Sequence, residues 1–527
     1  MARADLLLVL HAHLPFVRSP EHPRFLEENW FFEALTESYI PLLQMLMRSA
    51  EKGVPGTINL SLSPTLMHMM ADPMLQARYS LHLEHLVALA EREVSRSVDD
   101  VEKQQMVGFY RDRLRSVRHA WENRFQRNLL EIIRQLRDLG KLEVITCVGT
   151  HPFLPAYQAY PGAIRFQLAL TVQTCSDLLG FVPKGLWLPE CGYFEGLDAL
   201  IREFGFEYTF LETHGVLLAQ PGPRYGVFEP IKTAHGLVCF GRDQTSSREV
   251  WSRKVGYPGH PEYREFFKDL AHEMPREYLG DYFYAMDCPI ETGFKYHRIT
   301  GSENKEPYKP YRGLQLAREH ARQFIMNREA QITELGSMME NAPAVLAPYD
   351  AELFGHWWFE GPEFLEAVLE RAAWSKNLQL TGASICIQHS DPDVERVPAF
   401  SSWGEGGYGA VWINPEVDFV YPLFFEMLTQ FREAFRKFRT GGFHGRILAQ
   451  MAREIALLQS SDWAFMIHNK SAEPYARARV AEHHANFEQL FKLLHSGRTQ
   501  SRLLKDLEQK HNLFSWMGPA QYRLLAQ

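Results

Sequence analysis

The chain has 527 residues, a net charge of −8, 46% apolar and 23% charged residues, and a pI near 6.3. Such a length allows about two to four domains, or one barrel with additions. The acidic balance excludes a basic footprint for nucleic acid or an anionic membrane, and no apolar stretch approaches transmembrane length.

In chain order, MARADLLLVLHAH opens with an apolar run too short for a signal sequence, which meets histidines at once, so a first strand is expected. His11 and His13 fall on one side of an extended segment. With His151 they could ligate a zinc that keeps an open position, or act as neutral imidazoles bonding substrate hydroxyls. TINLSLS (57–63) reads as a second strand, and a charged helical excursion spans about 65–140, with Leu83, Leu86, Val87 and Ala90 on one stripe. Further apolar runs are LEVITCVG before Thr150-His151, GLWLP before Glu190, YTFLE (208–212), AVLAPY before Asp350, and LQLTGASI (378–385). Their hydrophobicity is continuous rather than alternating, which predicts parallel strands buried on both faces.

His11, His151, Glu190 and Asp350 all stand at the C-terminal ends of these runs, where a β/α barrel carries its functional groups. No glycine-rich phosphate fingerprint follows the first strand. The barrel is expected to occupy 1–215 and 311–410. Between them, at 216–310, the Gly/Pro/Tyr-rich text (QPGPRYGVFEP, KVGYPGHPEYREF, TGFKYHRITG) reads as an inserted subdomain with lid loops. Residues 411–527 turn to long amphipathic helices, with Ile447, Met451, Ile455 and Leu458 at helical spacing. The six cysteines form no CxxC pair, which fits a reducing, cytoplasmic setting.

Glu190 and Asp350 are the candidate acid pair, 160 positions apart on different strands. Two carboxylates in one pocket can divide labour when their surroundings separate their pKa values, as glycosidic chemistry requires; the plainer reading is a pair of rim carboxylates in structural salt bridges. Aromatic residues make up 13% of the chain, with 11 Trp and 21 Tyr. Those near polar residues, Trp403, Tyr408 and Trp412 in SSWGEGGYGAVWINPEVDF and Trp463 beside Asp462 in SSDWAF, could stack on sugars or simply seal a domain interface.

Five ordered blocks, HAHLPF (11–16), GTHPF (149–153), WLPECGY (187–193), YDAELFGHWWFEGP (349–362) and SSWGEGGYG with the helices beyond it, resemble glycoside hydrolase family 57, and within it the 1,4-α-glucan branching enzymes. GRDQTSSREVW and KYHRITG are similar to the same group. The resemblance implies a distorted (β/α)7 barrel with an inserted small subdomain and a C-terminal α-helical domain. It also implies retaining transglycosylation on amylose, amylopectin or glycogen with no metal or other cofactor: an α-1,4 bond is cleaved and the fragment is moved to a 6-hydroxyl. By the same resemblance Glu190 is the nucleophile, Asp350 the general acid/base, and His11, His13 and His151 line the donor-sugar subsite. Trp30, Trp403, Trp412 and Asp462 bind glucan, and Trp187 and Trp358 lie beside the sugar within the two carboxylate motifs. Tyr225 is expected at a lid tip, and Arg264 as a substrate contact near it. Phe16 departs from the tyrosine often found in the first motif. The chain is expected to be a monomer or weak oligomer. Rival readings are an α-amylase or 4-α-glucanotransferase on the same machinery, or a zinc-dependent carbohydrate deacetylase.

Overall fold

A computed structural model describes residues 3–252, 255–285, 287–390 and 394–527. Seven parallel strands form its centre: β1 (Ala4–Ala12), β2 (Ile58–Leu62), β3 (Leu142–Cys147), β4 (Gly185–Trp187), β5 (Tyr208–Leu211), β6 (Val238–Gly241) and β7 (Ala344–Asp350). Their order is β7-β1-β2-β3-β4-β5-β6. An isolated parallel bridge, Arg242 to Leu346, joins the end of β6 back to β7, and the Asp243 N–H donates to the Leu346 carbonyl at 2.9 Å. The ring closes there, as the distorted (β/α)7 barrel.

The apolar runs make such strands because both faces are covered. Along β1, Leu7 and Val9 point inward to a cluster with Ile145, Cys147, Trp187, Phe210, Phe240 and Leu346. Leu6, Leu8 and Leu10 pack outward against the helical layer. The two-residue period of a strand carries that alternation forward. It turns His11, after Leu7 and Val9, to the inner face, and likewise Asp350, four residues beyond Leu346. The register pairs His11 directly with Asp350.

Two strand expectations are corrected. β6 lies inside the stretch read as an insertion; VCFG is only four residues long and leaves too little pattern to stand out. LQLTGASI is not a barrel strand. Leu378–Leu380 pairs with the first residues of β1, at the foot of the barrel, and the chain then turns into the helix Ala383–Ser390.

The helical excursion is Pro64–Ala71, Pro73–Arg96, Val101–His119 and Leu129–Asp138, with Ser63, Asp72, Asp100 and Asn128 as N-caps. Its long hairpin shares a second apolar core with the later part of the 216–310 segment, where Leu86, Leu89, Met106 and Tyr110 meet Leu270, Phe283, Phe294 and Tyr296. The two excursions from the barrel thus bury each other's apolar faces. In the quoted stretch KVGYPGHPEYREF, Lys254 lies outside the described residues.

Beyond the barrel the helices Val420–Lys437, Gly442–Leu458, Ser461–His468, Glu473–His495 and Arg502–Lys510 pack together. A fully enclosed carboxylate network among them is centred on Glu454, which accepts from His483 Nδ1 at 2.8 Å, His511 Nδ1 at 2.9 Å and Gln450 Nε2 at 2.8 Å. Burial opposes this charge, but His511 and His483 hold the carboxyl well below its usual range. No helix among the described residues is long and apolar enough to cross a membrane. Glu454→Leu strands two imidazole N–H groups in the core and should cost about 3–5 kcal/mol in chemical denaturation. Because the folded-state pKa is depressed, the wild-type contribution is present above the unfolded carboxyl pKa and fades as pH falls below it. A variant of unchanged stability would contradict this.

Candidate active site

Glu190 follows β4 on a single turn whose backbone is unusual. Its φ is 60° and ψ 20°, and Cys191 (φ 51°) and His151 (φ 62°) are also left-handed. Such conformations in non-glycine residues cost of order 1–3 kcal/mol each and persist only where the surroundings enforce them. Here they do. The Trp403 N–H donates to the Glu190 carbonyl at 2.9 Å, the Ser461 N–H to the His151 carbonyl at 2.9 Å, and Tyr193 and Ser401 exchange backbone bonds. The glycine loop after Ser401 and the C-terminal helices therefore clamp the two turns that end β3 and β4.

The Glu190 side chain is buried. Its Oε1 accepts from Ser461 Oγ at 2.7 Å and its Oε2 from the Trp403 indole N–H at 2.6 Å. Burial pushes the carboxyl up to about 7; the Trp403 and Ser461 bonds pull against this, and the charges of Asp462 and Asp350 add to it. Both candidate carboxylates stand at C-terminal ends of barrel strands, Glu190 just past β4 and Asp350 at the end of β7. Asp350, at the end of β7, is pushed up to about 8, first by burial and then by the charge of Glu352, with His13 and Arg242 opposing. Glu352 is itself raised to about 7 by burial, against a hydrogen bond from the Tyr39 hydroxyl. Burial thus raises both carboxyls, and each has different partners, the kind of setting in which a carboxyl pair can divide acid and base roles.

The three histidines meet beside them. His13 stacks on His151 with ring centres 3.8 Å apart, and His11 Nε2 lies 3.1 Å from His151 Nε2. His13 Nε2 is bonded to both Asp462 oxygens at 3.1–3.2 Å. Asp462 sits below its usual range because His13 and Ser460 outweigh burial. Burial, then neighbouring imidazoles, holds His11 and His151 well below the ordinary histidine pKa, so both are neutral. Ligand atoms of His13, His151 and Asp462 lie within 4.8 Å of one another, a spacing that could receive a cation. In this arrangement they are hydrogen-bonded to each other and to His11, Ser63, Ser460 and Ser461.

A cavity of about 730 Å3 opens over Trp403, bordered also by Glu212, His214, Arg242, Trp251 and Gly404. That is within the range of ligand clefts. The loop over it depends on Gly409, which has φ +79°, and a Cβ there would stand 2.8 Å from Phe153.

Several expected contacts are placed differently. Trp403 belongs to the site, but its N–H is spent on Glu190 and its ring meets Trp187 edge-on at 5.2 Å. Trp187 is fully buried beneath His11, stacked at 4.9 Å. Trp412 is 1% exposed and stacks on Phe153 at 5.0 Å, sealing the glycine loop from below. Trp358 is also 1% exposed, packed among Phe354, Phe364 and Tyr263; its neighbour Trp357, 45% exposed, reaches the surface against Trp251. Trp30 is half-buried, edge-on to Tyr475. Arg264 is not a free substrate contact. It is buried in an ion pair with Glu37 at 3.1 Å, donates to the His356 carbonyl and lies over the Phe359 ring. Tyr225 is half-buried in the loop before the turn Gly226–Phe228. Its hydroxyl is buried, and Arg224, which lies over its ring, pairs with Glu340 at the foot of β7, the end away from Asp350. Ser461, Tyr39 and Glu352, which act directly on the carboxylates, were not among the expected residues.

Removing the Glu352 charge should let Asp350 ionise more easily, because a like charge disfavours the carboxylate form. In Glu352→Gln, carboxyl infrared titration, assigned with Asp350→Asn, should show the Asp350 midpoint below about 8; an unmoved midpoint would contradict this arrangement.

Residues 7–384 match the model of glycosyl hydrolase family 57, and residues 425–522 match that of the 1,4-alpha-glucan branching enzyme C-terminal region. A 1,4-alpha-glucan branching enzyme of Thermococcus kodakarensis is 30% identical over 97% of this chain and 77% of its own length. Among solved structures, the alpha-amylase AmyC of Thermotoga maritima is 38% identical with a TM-score of 0.92, covering 100% of this chain and 99% of that one. The GH57-type branching enzyme of Pyrococcus horikoshii is 31% identical with a TM-score of 0.88, covering 98% and 96%. With its fold, its strand-end carboxylates and these matches in agreement, the chain belongs to glycosyl hydrolase family 57.

Proposed function

We propose that this chain is a 1,4-α-glucan branching enzyme acting by retaining transglycosylation. The observation that carries the reading is the carboxylate pair: Glu190 held between two donors, and Asp350 holding its proton beside Glu352, at a mouth completed by the C-terminal helices. Those helices fall within the segment that matches the branching-enzyme C-terminal model. Glu190 attacks C1 of the sugar whose C1–O4 bond breaks, and Asp350 gives its proton to the departing O4. Asp350 then takes the proton of an acceptor 6-hydroxyl as that oxygen attacks C1, and the ester bond to Glu190 breaks. An α-1,6 branch results and both carboxyls return to their starting forms. Water is the competing acceptor, so transfer needs a cleft that holds a second glucan. The cavity beside Trp403, with Trp251 at its edge, offers that space.

The substrates are amylose, amylopectin or glycogen, and the role is branching of storage glucan. Six unpaired cysteines, five of them buried, fit a reducing cytoplasm. Hydrolysis is the second reading, favoured by the 38% identity to an alpha-amylase.

Incubation with amylose decides between them. Branching produces new α-1,6 anomeric signals by proton NMR and chains that a debranching enzyme releases; chain shortening without such linkages would overturn the proposal. Glu190→Gln and Asp350→Asn should each lose roughly 1,000-fold or more in rate, whichever acceptor is used. Full activity should survive a chelator, and a loss restored by stoichiometric zinc would instead favour a deacetylase-type metal site. In wild type, activity should rise through about pH 7 as Glu190 ionises and fall above about 8 as Asp350 loses its proton. The two limbs belong to the coupled pair. A profile flat from pH 6 to 9 would contradict the assignment.

A further inference from the structure

We propose that Ser461 is the positioning residue that keeps Glu190 ionised, as the last donor of a one-way hydrogen-bond relay through Ser61, His11, His151 and Ser461. This rests on the reading of Glu190 as nucleophile.

With Glu190 ionised, the direction of every link follows from the next one. Ser461 Oγ donates to Glu190 Oε1 at 2.7 Å. Its own proton is thereby committed, so at 2.8 Å it must accept from His151 Nδ1–H. A neutral His151 then has a bare Nε2, which accepts from His11 Nε2–H at 3.1 Å. The remaining His11 Nδ1 accepts from the Ser61 hydroxyl at 3.2 Å. Four protons point the same way, toward the carboxylate. On the other oxygen Trp403 Nε1–H can only donate.

The neutral acid is therefore disfavoured at both positions. A proton on Oε1 would have to be donated to Ser461 Oγ, which reverses the whole relay: the Ser461 O–H turns to His151 Nδ1 and both imidazoles change tautomer. A proton on Oε2 would face the indole N–H. The charged form accepts both bonds. This matters because the charges facing Glu190 work against its ionisation, Asp462 from the helix Ser461–His468 and Asp350 from β7, while the neighbouring thiols of Cys147 and Cys191 are held neutral by burial and the neutral His151 lies 3.7 Å away. The relay is also anchored. The Ser461 N–H donates to the His151 carbonyl, and Pro152 and Ser460 form a bridge, so the hydroxyl cannot drift from the imidazole.

The test is the pH dependence of kcat/KM on amylose for wild type, Ser461→Ala, Ser461→Thr and Ser61→Ala. A hydrogen bond to a charged group is worth about one pH unit or more. Ser461→Ala should move the acidic limb up by about that much, a roughly tenfold loss below the limb that closes at higher pH, with KM little changed. Ser461→Thr should restore the limb, and Ser61→Ala should move it in the same direction by less. A limb that stays in place in Ser461→Ala, or a loss uniform across pH, overturns the relay. Should Ser461→Ala not fold, an unmoved limb in Ser61→Ala overturns it equally. Glu190→Gln separates the two levels: if it retains activity the nucleophile reading itself falls, and if it is inactive while the limbs stay in place only the relay falls.

Discussion

One constraint organises this molecule: the Glu190 carboxyl is enclosed at the mouth of an apolar barrel, where two hydrogen bonds oppose burial. Burial alone would neutralise it. The two oxygens of Glu190 are instead occupied by donors from segments distant in sequence, Trp403 from the glycine loop and Ser461 from the C-terminal helices. The same two segments hold the backbone of the turn through the Glu190 and His151 carbonyls. Left-handed geometry at His151, Glu190 and Cys191 is thus enforced from outside the barrel. The helical region is accordingly part of the site. Without it, Glu190 would lose a donor, and His13 would lose Asp462.

The second carboxylate is governed by the opposite arrangement. Asp350 is enclosed like Glu190, but its nearest carboxylate neighbour, Glu352, repels the charged form, and Tyr39 fixes that neighbour in place. Tyr39 sits in a π-helical stretch, Ala34–Tyr39, a form of helix that tends to mark functional places. Glu37 in the same stretch anchors Arg264 and His356, and against burial the Arg264 charge and the His356 hydrogen bond hold its carboxyl down to about 2. The result is a graded series of buried acids within one region, each set by what it faces rather than by its own chemistry.

Much of this was readable from sequence where chemistry sits in a local pattern. Apolar runs ending in His11, His151, Glu190 and Asp350 marked strand ends, and the parity of β1 and β7 then turns His11 and Asp350 inward. What escaped had no local signature. VCFG is too short to reveal β6, and a serine in SSDWAF shows nothing until the helix bearing it folds across β3. Nor could the sequence show how each aromatic ring packs. Trp358 and Trp412 are consumed by the core, because a large ring beside a site gains more by burial than by exposure. Arg264 is a similar case, since a lone sequence position cannot show that Glu37, from a helix 227 residues earlier, already holds it.

The central claim is that Glu190 takes the sugar covalently while Asp350 shuttles the proton. Peptide mapping by mass spectrometry after reaction with a fluorinated α-glucosyl fluoride, which slows release of the glycosyl-enzyme, addresses it most directly. One ester on the peptide containing Glu190, absent in Glu190→Gln, is the result this account requires. A label on Asp350 or Asp462, or products of inverted anomeric configuration, would contradict it.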